Sequence, residues 1–240
     1  MSRKNHTIRF ENKIKAISVV FGLAFFFIII SSSTSVHAID TIFPPGSKPY
    51  GQTYGQWSIK WWQWVLSIPT DRNPINDDNG KYCDTSQNDP NVWFLAGTGG
   101  GKVVRDCTIP SGKAIYFPIL DVECSYAEST TDKTEADLRR CAHADQDTVS
   151  HLTLRIDGLD IQNLTNFRVD SPLFNFTTPE NGLFDLHSVT TQAVSDGFFV
   201  MVKPLPVGSH EIHWSGILGS LTSTSPQIQP EDTTYRLKVE

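Results

Sequence analysis

The sequence has few cysteines and lacks two motifs that would point to familiar chemistry. Its four cysteines are separated by gaps of 24, 17 and 17 residues, with no Cys-x-x-Cys pair. Structural zinc sites use closely spaced ligand pairs, so this spacing argues against cysteine-bound zinc. There is also no Gly-x-Ser-x-Gly motif, the strained turn that exposes the serine of α/β-hydrolases. Neither type of site is therefore expected.

Long apolar runs are absent except near the N terminus. Five basic residues within the first 15 precede an uncharged stretch over residues 16–30, which gives way to small polar residues and Val36-His37-Ala38. The apolar run is shorter than the ~20 residues that cross a membrane and lacks a basic stop-transfer flank. We predict a secretory signal peptide over residues 1–38, with an uncleaved N-terminal anchor as the alternative. The mature protein is then secreted or held at the cell surface, without a membrane span.

Basic residues are scarce in the remainder. Residues 39–240 carry 15 Lys and Arg against 25 Asp and Glu, a net charge of −10. A domain of this charge repels phosphate backbones, which argues against a nucleic-acid partner. The 202 residues suffice for one large β domain and are few for two, so a single domain over 39–240 is predicted.

All four cysteines, Cys83, Cys107, Cys124 and Cys141, lie in the mature part. An exported chain with an even number of cysteines is expected to form disulfides. Three connectivities exist. We favour Cys83 with Cys107 and Cys124 with Cys141, because both bonds close short loops poor in apolar residues.

One helix and many strands are indicated by the periodicity of apolar residues. Tyr54, Trp57, Trp61, Trp64 and Ile68 recur at helical spacing, which predicts a Trp-rich amphipathic helix that ends near Pro69. From Val92 onward the period is two. Candidate strands lie at 92–96, 114–120, 151–157, 167–169, 183–189, 198–203, 211–214 and 234–239.

Turn signals separate several of these strands. Asp157-Gly158, Asn181-Gly182 and Asp196-Gly197 are dipeptides typical of tight hairpins. Short strands at such intervals favour a mainly β fold. We predict an antiparallel β-sandwich of jelly-roll type, with the Trp-rich helix packed on it.

The residues also carry a resemblance. Four parts of the chain contribute to it: the YGQW, WWQW and SIP strings between Tyr54 and Pro69, Asn73-Pro74, VWFLAGT from Val92, and Pro206-x-Gly208-x-His210. This pattern resembles an uncharacterised group of exported microbial proteins. The resemblance implies a secreted β-rich domain and transfers no catalytic residue.

Two carboxylates are the best candidates for catalysis. Asp121 and Glu123 lie two residues apart on a predicted strand, so they project from one face. A carboxylate pair beside a sugar ring is typical of glycan hydrolases and lyases. Acidic residues are also common at strand ends, and an enzyme is the less favoured reading.

Aromatic residues suggest a binding site instead. Trp and Tyr rings stack on sugars, and Trp62, Trp93 and Tyr116 are the candidates for a carbohydrate-binding surface. Burial of these rings in the core is the competing interpretation.

Metal and cofactor signals are weak. His210 and His213 fall on opposite faces of a predicted strand, so they cannot chelate one ion, and a site that joins Glu211 and His213 to His151 or His187 has no support in the sequence. The polar segment 71–80 does not fit the helical calcium-loop pattern and is interpreted as a turn. We predict no metal site and no cofactor, with calcium as the ion best suited to such a loop.

Together these features predict a secreted, disulfide-stabilised ligand-binding or cell-surface interaction domain. Its expected partner is an extracellular glycan or a cell-surface protein. The alternatives are a glycan-active hydrolase or lyase and a structural envelope component.

Overall fold

The computed structural model describes residues 41–219 and 230–240. The predicted signal peptide, residues 1–38, lies outside the described residues. Among the helices of the described part, none combines the length and the apolar character needed to cross a membrane.

Within residues 41–219 and 230–240, ten strands form two five-stranded sheets. The first sheet has the order β1-β3-β8-β6, with β7 also paired to β8, and the second has the order β2-β10-β9-β4-β5. The strands are β1 Val92–Phe94, β2 Gly101–Ile109, β3 Ala114–Ser125, β4 Ser150–Ile156, β5 Leu159–Asp160, β6 Arg168–Asp170, β7 Phe174–Thr177, β8 Thr190–Val202, β9 Gly208–Ile217 and β10 Glu231–Val239.

The sheets are mixed, which corrects the prediction of an antiparallel sandwich. β1 pairs with β3 in parallel, and β10 pairs with β2 in parallel over nine residues. Parallel neighbours cannot be joined by a tight hairpin, so the chain must cross over between them. The mainly β character is confirmed, whereas a jelly-roll arrangement is not.

Aromatic rings join the two sheets in the core. Phe117 on β3 stacks on Trp214 of β9 with ring centroids 4.4 Å apart, and Trp214 in turn stacks on Tyr235 of β10 at 5.7 Å. All three side chains are at most 1% exposed. Stacked aromatic pairs stabilise a core by roughly 0.5–1.5 kcal/mol beyond the area that they bury.

The Trp-rich helix is confirmed as α1, Tyr54–Leu66. It begins at a capping box, in which Thr53 and Gln56 satisfy each other's backbone N–H groups. Three of its indoles donate to backbone carbonyls: Trp57 to Pro49, Trp61 to Leu95 and Trp64 to Thr85. These bonds let the rings be buried without an unsatisfied donor.

A second helix, α2 (Glu135–Gln146), lies where the sequence indicated a polar loop. Thr134 and Asp137 form its capping box, and its apolar contacts come mainly from Leu138 and Ala142. These two residues pack with Val122 and Val194 on β3 and β8. So narrow an apolar stripe gives little periodic signal.

Both predicted disulfides are present. Cys83 bonds to Cys107 on β2, and Cys124 on β3 bonds to Cys141 on α2. The described residues contain no free cysteine. The second bond ties α2 to the first sheet, which brings the polar side chains of the helix to that face.

Candidate functional site

The candidate catalytic carboxylates share one face of β3, as strand alternation predicts. Asp121 lies opposite Gly197 of β8, and Glu123 lies opposite Ser195. Directly paired residues project from the same face of a sheet. The Ser195 hydroxyl is 3.4 Å from that of Ser58 on α1, so this is the face that α1 covers.

Three oxygen atoms of these two carboxylates are enclosed. Oδ2 of Asp121 and both carboxylate oxygens of Glu123 are shielded from solvent and receive no hydrogen bond from the described residues. Burial, together with the nearby Glu231 carboxylate, raises the pKa of Asp121 well above its usual value. Burial and the carboxylate of Glu128 raise the pKa of Glu123 in the same way. A buried, neutral acid can serve as a general acid only where a substrate reaches it.

A third enclosed carboxylate holds the glycine-rich loop that follows β1. Oε1 of Glu231 accepts hydrogen bonds from the Thr98 backbone N–H at 3.1 Å and from the Trp214 indole at 3.3 Å. Burial raises the pKa of Glu231 to about 7, although these two bonds act in the opposite direction. The buried Arg105 donates to the carbonyls of Ala96 and Gly97 in the same loop. The loop is thus fixed by the core.

The aromatic candidates lie in the interior. Trp62 is 4% exposed, Trp93 6% and Tyr116 is fully buried. The Tyr116 hydroxyl donates to the Tyr54 carbonyl, and its ring stacks on Phe199 at 5.3 Å. The indole N–H groups of Trp62 and Trp93 find no acceptor among the described residues. None of the three rings offers an open face on which a sugar could stack.

The segment considered for calcium is organised by one carboxylate. Asp77 accepts hydrogen bonds from the backbone N–H groups of Asn79, Gly80 and Tyr82. Its oxygens therefore close a turn, as an aspartate commonly does in such sequences.

Three of the histidines considered for a metal have other partners. Nδ1 of His210 lies 2.7 Å from Asp157, and Nε2 of His213 lies 3.0 Å from Asp232. His187 contacts the carbonyl of Glu180. Within the described ranges, these residues do not come together as a metal-ligand cluster.

An exposed aromatic residue lies where the sequence predicted a strand. The segment 178–189 between β7 and β8 forms a loop, with Phe184 52% exposed and with Leu183 and Leu186 buried on either side. Phe184 has φ 56° and ψ 31°, in the left-handed region that bulky residues rarely adopt. Such strain persists only where the surroundings over-determine the backbone.

Hydrogen bonds close the base of this loop. The N–H of Thr178 donates to the Val189 carbonyl, the N–H of Val189 donates to the Thr178 hydroxyl, and the N–H of Ser188 donates to the Pro179 carbonyl. These three bonds, with the two buried leucines, fix the loop at its base and beneath its tip.

Residues after α1 hold the loop from the side. Thr70 donates its backbone N–H to the Asn181 carbonyl and its hydroxyl to the Gly182 carbonyl, each at 2.8 Å. Gly182 also lacks room for a side chain, because a Cβ there would lie 2.1 Å from the Leu186 carbonyl oxygen. The loop therefore presents Phe184 from a rigid frame, which is an arrangement suited to recognition rather than to bond chemistry.

Comparisons with known proteins assign no family. No family model and no curated protein matches the chain. Three solved structures show weak similarity: the cysteine protease inhibitor EhICP2 from Entamoeba histolytica (10% identity, 61% of this chain and 96% of that chain, TM-score 0.24), amebosin (8%, 63% and 100%, TM-score 0.22), and PbICP-C in complex with falcipain-2 (12%, 62% and 99%, TM-score 0.24). At these TM-scores the similarity supports no conclusion about fold or function.

Proposed function

We propose that this chain is an exported interaction domain that binds a protein partner through the loop 178–189. The observation that carries the proposal is Phe184, an aromatic side chain that is 52% exposed although its backbone is held in a strained left-handed conformation. Two disulfides support export, because such bonds persist in oxidising compartments.

A rigid exposed aromatic residue has the properties of a binding hot spot. Burying one aromatic side chain on a partner removes a large apolar area from water, at roughly 25 cal/mol per Å². Because the loop is already ordered by Thr70, Thr178 and the two leucines, little conformational entropy is lost on binding. Hot spots typically combine such an anchor with a surrounding polar rim. The neighbouring Asp185 and His187 are exposed and polar, which fits that rim.

A protein partner is favoured over a glycan. The rings expected to stack on sugars, Trp62, Trp93 and Tyr116, are all in the core. Carbohydrate binding would have to use another surface or require the core to open. A glycan hydrolase that uses Asp121 or Glu123 faces the same obstacle, because their carboxylate oxygens are enclosed.

Position-specific photocrosslinking tests this proposal. A photoreactive phenylalanine analogue is placed at position 184, and in a matched control at position 207, where Val207 is 72% exposed in another loop. Each protein is irradiated with the culture fluid and the surface of the producing cells. We expect a discrete protein adduct from position 184 only, which unlabelled wild-type protein competes away. Equal adducts from both positions, or none from position 184, would contradict the proposal.

A second variant separates binding from folding. Asparagine tolerates the left-handed conformation better than other non-glycine residues. Phe184→Asn should therefore leave the thermal midpoint unchanged or slightly raised, yet fail to compete for the crosslink. If Phe184→Asn competes as well as the wild type, the aromatic side chain is not the recognition element.

A further inference from the structure

Three side chains from different parts of the chain meet at the surface between α2 and the first sheet. They are His143 on α2, Asp170 at the end of β6 and Asp196 on β8. His143 Nε2 lies 2.6 Å from Asp170 Oδ1 and 3.9 Å from Asp196 Oδ2. One ligand atom from each of the three lies within 4.8 Å of the other two. No other described group of His, Cys, Asp and Glu meets this condition.

We propose that His143, Asp170 and Asp196 form a binding site for a divalent cation of the zinc class. An imidazole nitrogen with carboxylate oxygens is a donor set that suits zinc and related transition ions. Tetrahedral zinc with bonds of roughly 2.0–2.1 Å places its ligand atoms about 3.3–3.4 Å apart. The two His143 distances bracket that value, and the third distance, between the oxygens of Asp170 and Asp196, is at most 4.8 Å.

The charge of the surroundings also matches a dication. Asp147, Asp170 and Asp196 contribute three negative charges, and Arg168 is the cation that bridges Asp147 and Asp196. Two negative charges therefore remain beside a histidine. The other two arginines near His143 have their own partners, since Arg139 pairs with Glu135 and Arg140 pairs with Asp137.

Arg168 supports one of the proposed ligands rather than blocking it. Its Nε lies between the two oxygens of Asp196, 3.1 Å from Oδ1 and 3.0 Å from Oδ2, and Oδ2 is the oxygen nearest His143. Its Nη2 also contacts Oδ2, at 2.5 Å. A carboxylate has about four acceptor positions over its two oxygens, so Asp196 can accept from Arg168 and still offer a position to a cation. Groups that donate hydrogen bonds to a ligating carboxylate commonly orient it in this way.

The site is open on one side. His143 and Asp170 side chains are 44% and 53% exposed, whereas Asp196 is 2% exposed. A surface depression beside them is lined by His143, Asp147, Arg139 and Arg140. A cation held by three protein ligands at such an edge keeps a position for water or for a group from a partner.

Titration calorimetry with zinc chloride on the oxidised protein tests the site, with cobalt chloride as a second probe whose visible spectrum reports tetrahedral coordination. We expect one saturable zinc site. His143→Ala and Asp170→Asn should each weaken binding at least tenfold and abolish the cobalt band. Both side chains are largely exposed, so these variants should fold. His151→Ala is the control, since His151 is exposed and outside the cluster.

Three results would overturn the proposal. The first is the absence of saturable zinc binding in the wild type. The second is unchanged affinity in His143→Ala. The third is an equal loss of affinity in His151→Ala, which would indicate nonspecific binding to surface histidines. None of these outcomes depends on whether the loop 178–189 binds a partner.

Discussion

Two groups of carboxylates lie at neighbouring positions of β3 and β8 but on opposite faces of the first sheet. Asp196 lies opposite Val122, on the face that α2 covers, whereas Asp121 and Glu123 lie on the face toward α1. Asp196 receives a bidentate contact from Arg168 and has His143 nearby. Asp121 Oδ2 and the carboxylate oxygens of Glu123 accept nothing from the described residues.

Both groups are enclosed, so burial alone does not distinguish them. They differ in whether a cationic side chain lies beside the carboxylate. Asp196 is enclosed but forms an ion pair with Arg168. Asp121 and Glu123 have no cationic partner among the described residues, and burial raises the pKa of both well above the usual range. Sequence alone shows only an acidic residue on a strand in each case.

The largest expected change in the free energy of unfolding comes from removing Arg168, the partner of Asp196. Arg168→Met should destabilise the protein by about 3–5 kcal/mol, because it leaves a buried charge uncompensated. Urea denaturation at neutral pH measures the change. Arg155→Met is the matched control, since Arg155 pairs with Asp160 in solvent and should contribute less than about 1 kcal/mol. A similar loss of unfolding free energy in both variants would show that the enclosed Arg168–Asp196 pair stabilises the protein no more than an exposed pair.

The next effect comes from releasing α2 from the sheet. Replacing both Cys124 and Cys141 by alanine removes a bond that closes a loop of 17 residues. Loop-closure entropy predicts a loss of about 3 kcal/mol. Hydrogen exchange should show faster opening of α2, and the proposed zinc affinity should fall because His143 lies on that helix. Unchanged exchange in α2 would mean that side-chain packing alone holds the helix.

Replacing the buried carboxyl group of Asp121 should have the opposite sign and raise the free energy of unfolding. The folded-state pKa of Asp121 is raised, so the unfolded chain loses its proton first as the pH rises, and the native state is penalised from about pH 4 upward. Asp121→Asn should therefore stabilise the protein by about 1–3 kcal/mol near pH 7. Near pH 3 both states of the wild type are protonated, and the gain should disappear.

Thermal unfolding of the wild type and Asp121→Asn across this pH range measures the difference. Asp106→Asn is the control, because Asp106 is exposed on β2. A stabilisation that is the same at acidic and neutral pH would contradict the account of a buried, protonated Asp121.

The smallest effect is expected at the exposed edge of the Asp196 group. In the absence of metal, His143→Gln should change the free energy of unfolding by less than about 1 kcal/mol, because His143 and Asp170 are both largely exposed. Chemical denaturation in the presence of a chelator measures this value. A loss as large as that of Arg168→Met would show that His143, rather than Arg168, is the main partner of Asp196.

Strongly periodic elements could be predicted from the sequence, and so could the disulfide pairing. The Trp spacing and Thr53 define α1, and the alternation near the C terminus defines β10. Asp157-Gly158 forms the predicted hairpin between β4 and β5, with positive φ at both residues. In these places local propensity and tertiary structure agree.

Other features depend on contacts that no local pattern encodes. The dipeptide Asp196-Gly197 predicts a turn but lies within β8. Glycine is needed there because a Cβ on residue 197 would lie 2.4 Å from the Cβ of Asp121. Residues 183–189 were predicted as a strand and form the loop that exposes Phe184. The capping box at Thr134 was the available signal for α2.

In the candidate sites too, local sequence patterns predict some features and tertiary contacts decide the others. Asp121 and Glu123 share a face, as alternation predicts, but their enclosure depends on the tertiary fold. The group of His143, Asp170 and Asp196 spans more than 50 residues of sequence and three elements. The proximity of these residues depends on the order of the strands in the sheet, which the sequence pattern does not predict.

We propose that this protein acts through the exposed loop 178–189 and not through its enclosed carboxylates. The most direct test is competition for the position-184 crosslink by unlabelled wild type, Phe184→Asn, and an Asp121→Asn/Glu123→Gln double variant. We predict that the double variant competes as well as the wild type and that Phe184→Asn does not compete. Full competition by Phe184→Asn together with loss of competition by the double variant would contradict the claim and move the function to the carboxylates of β3.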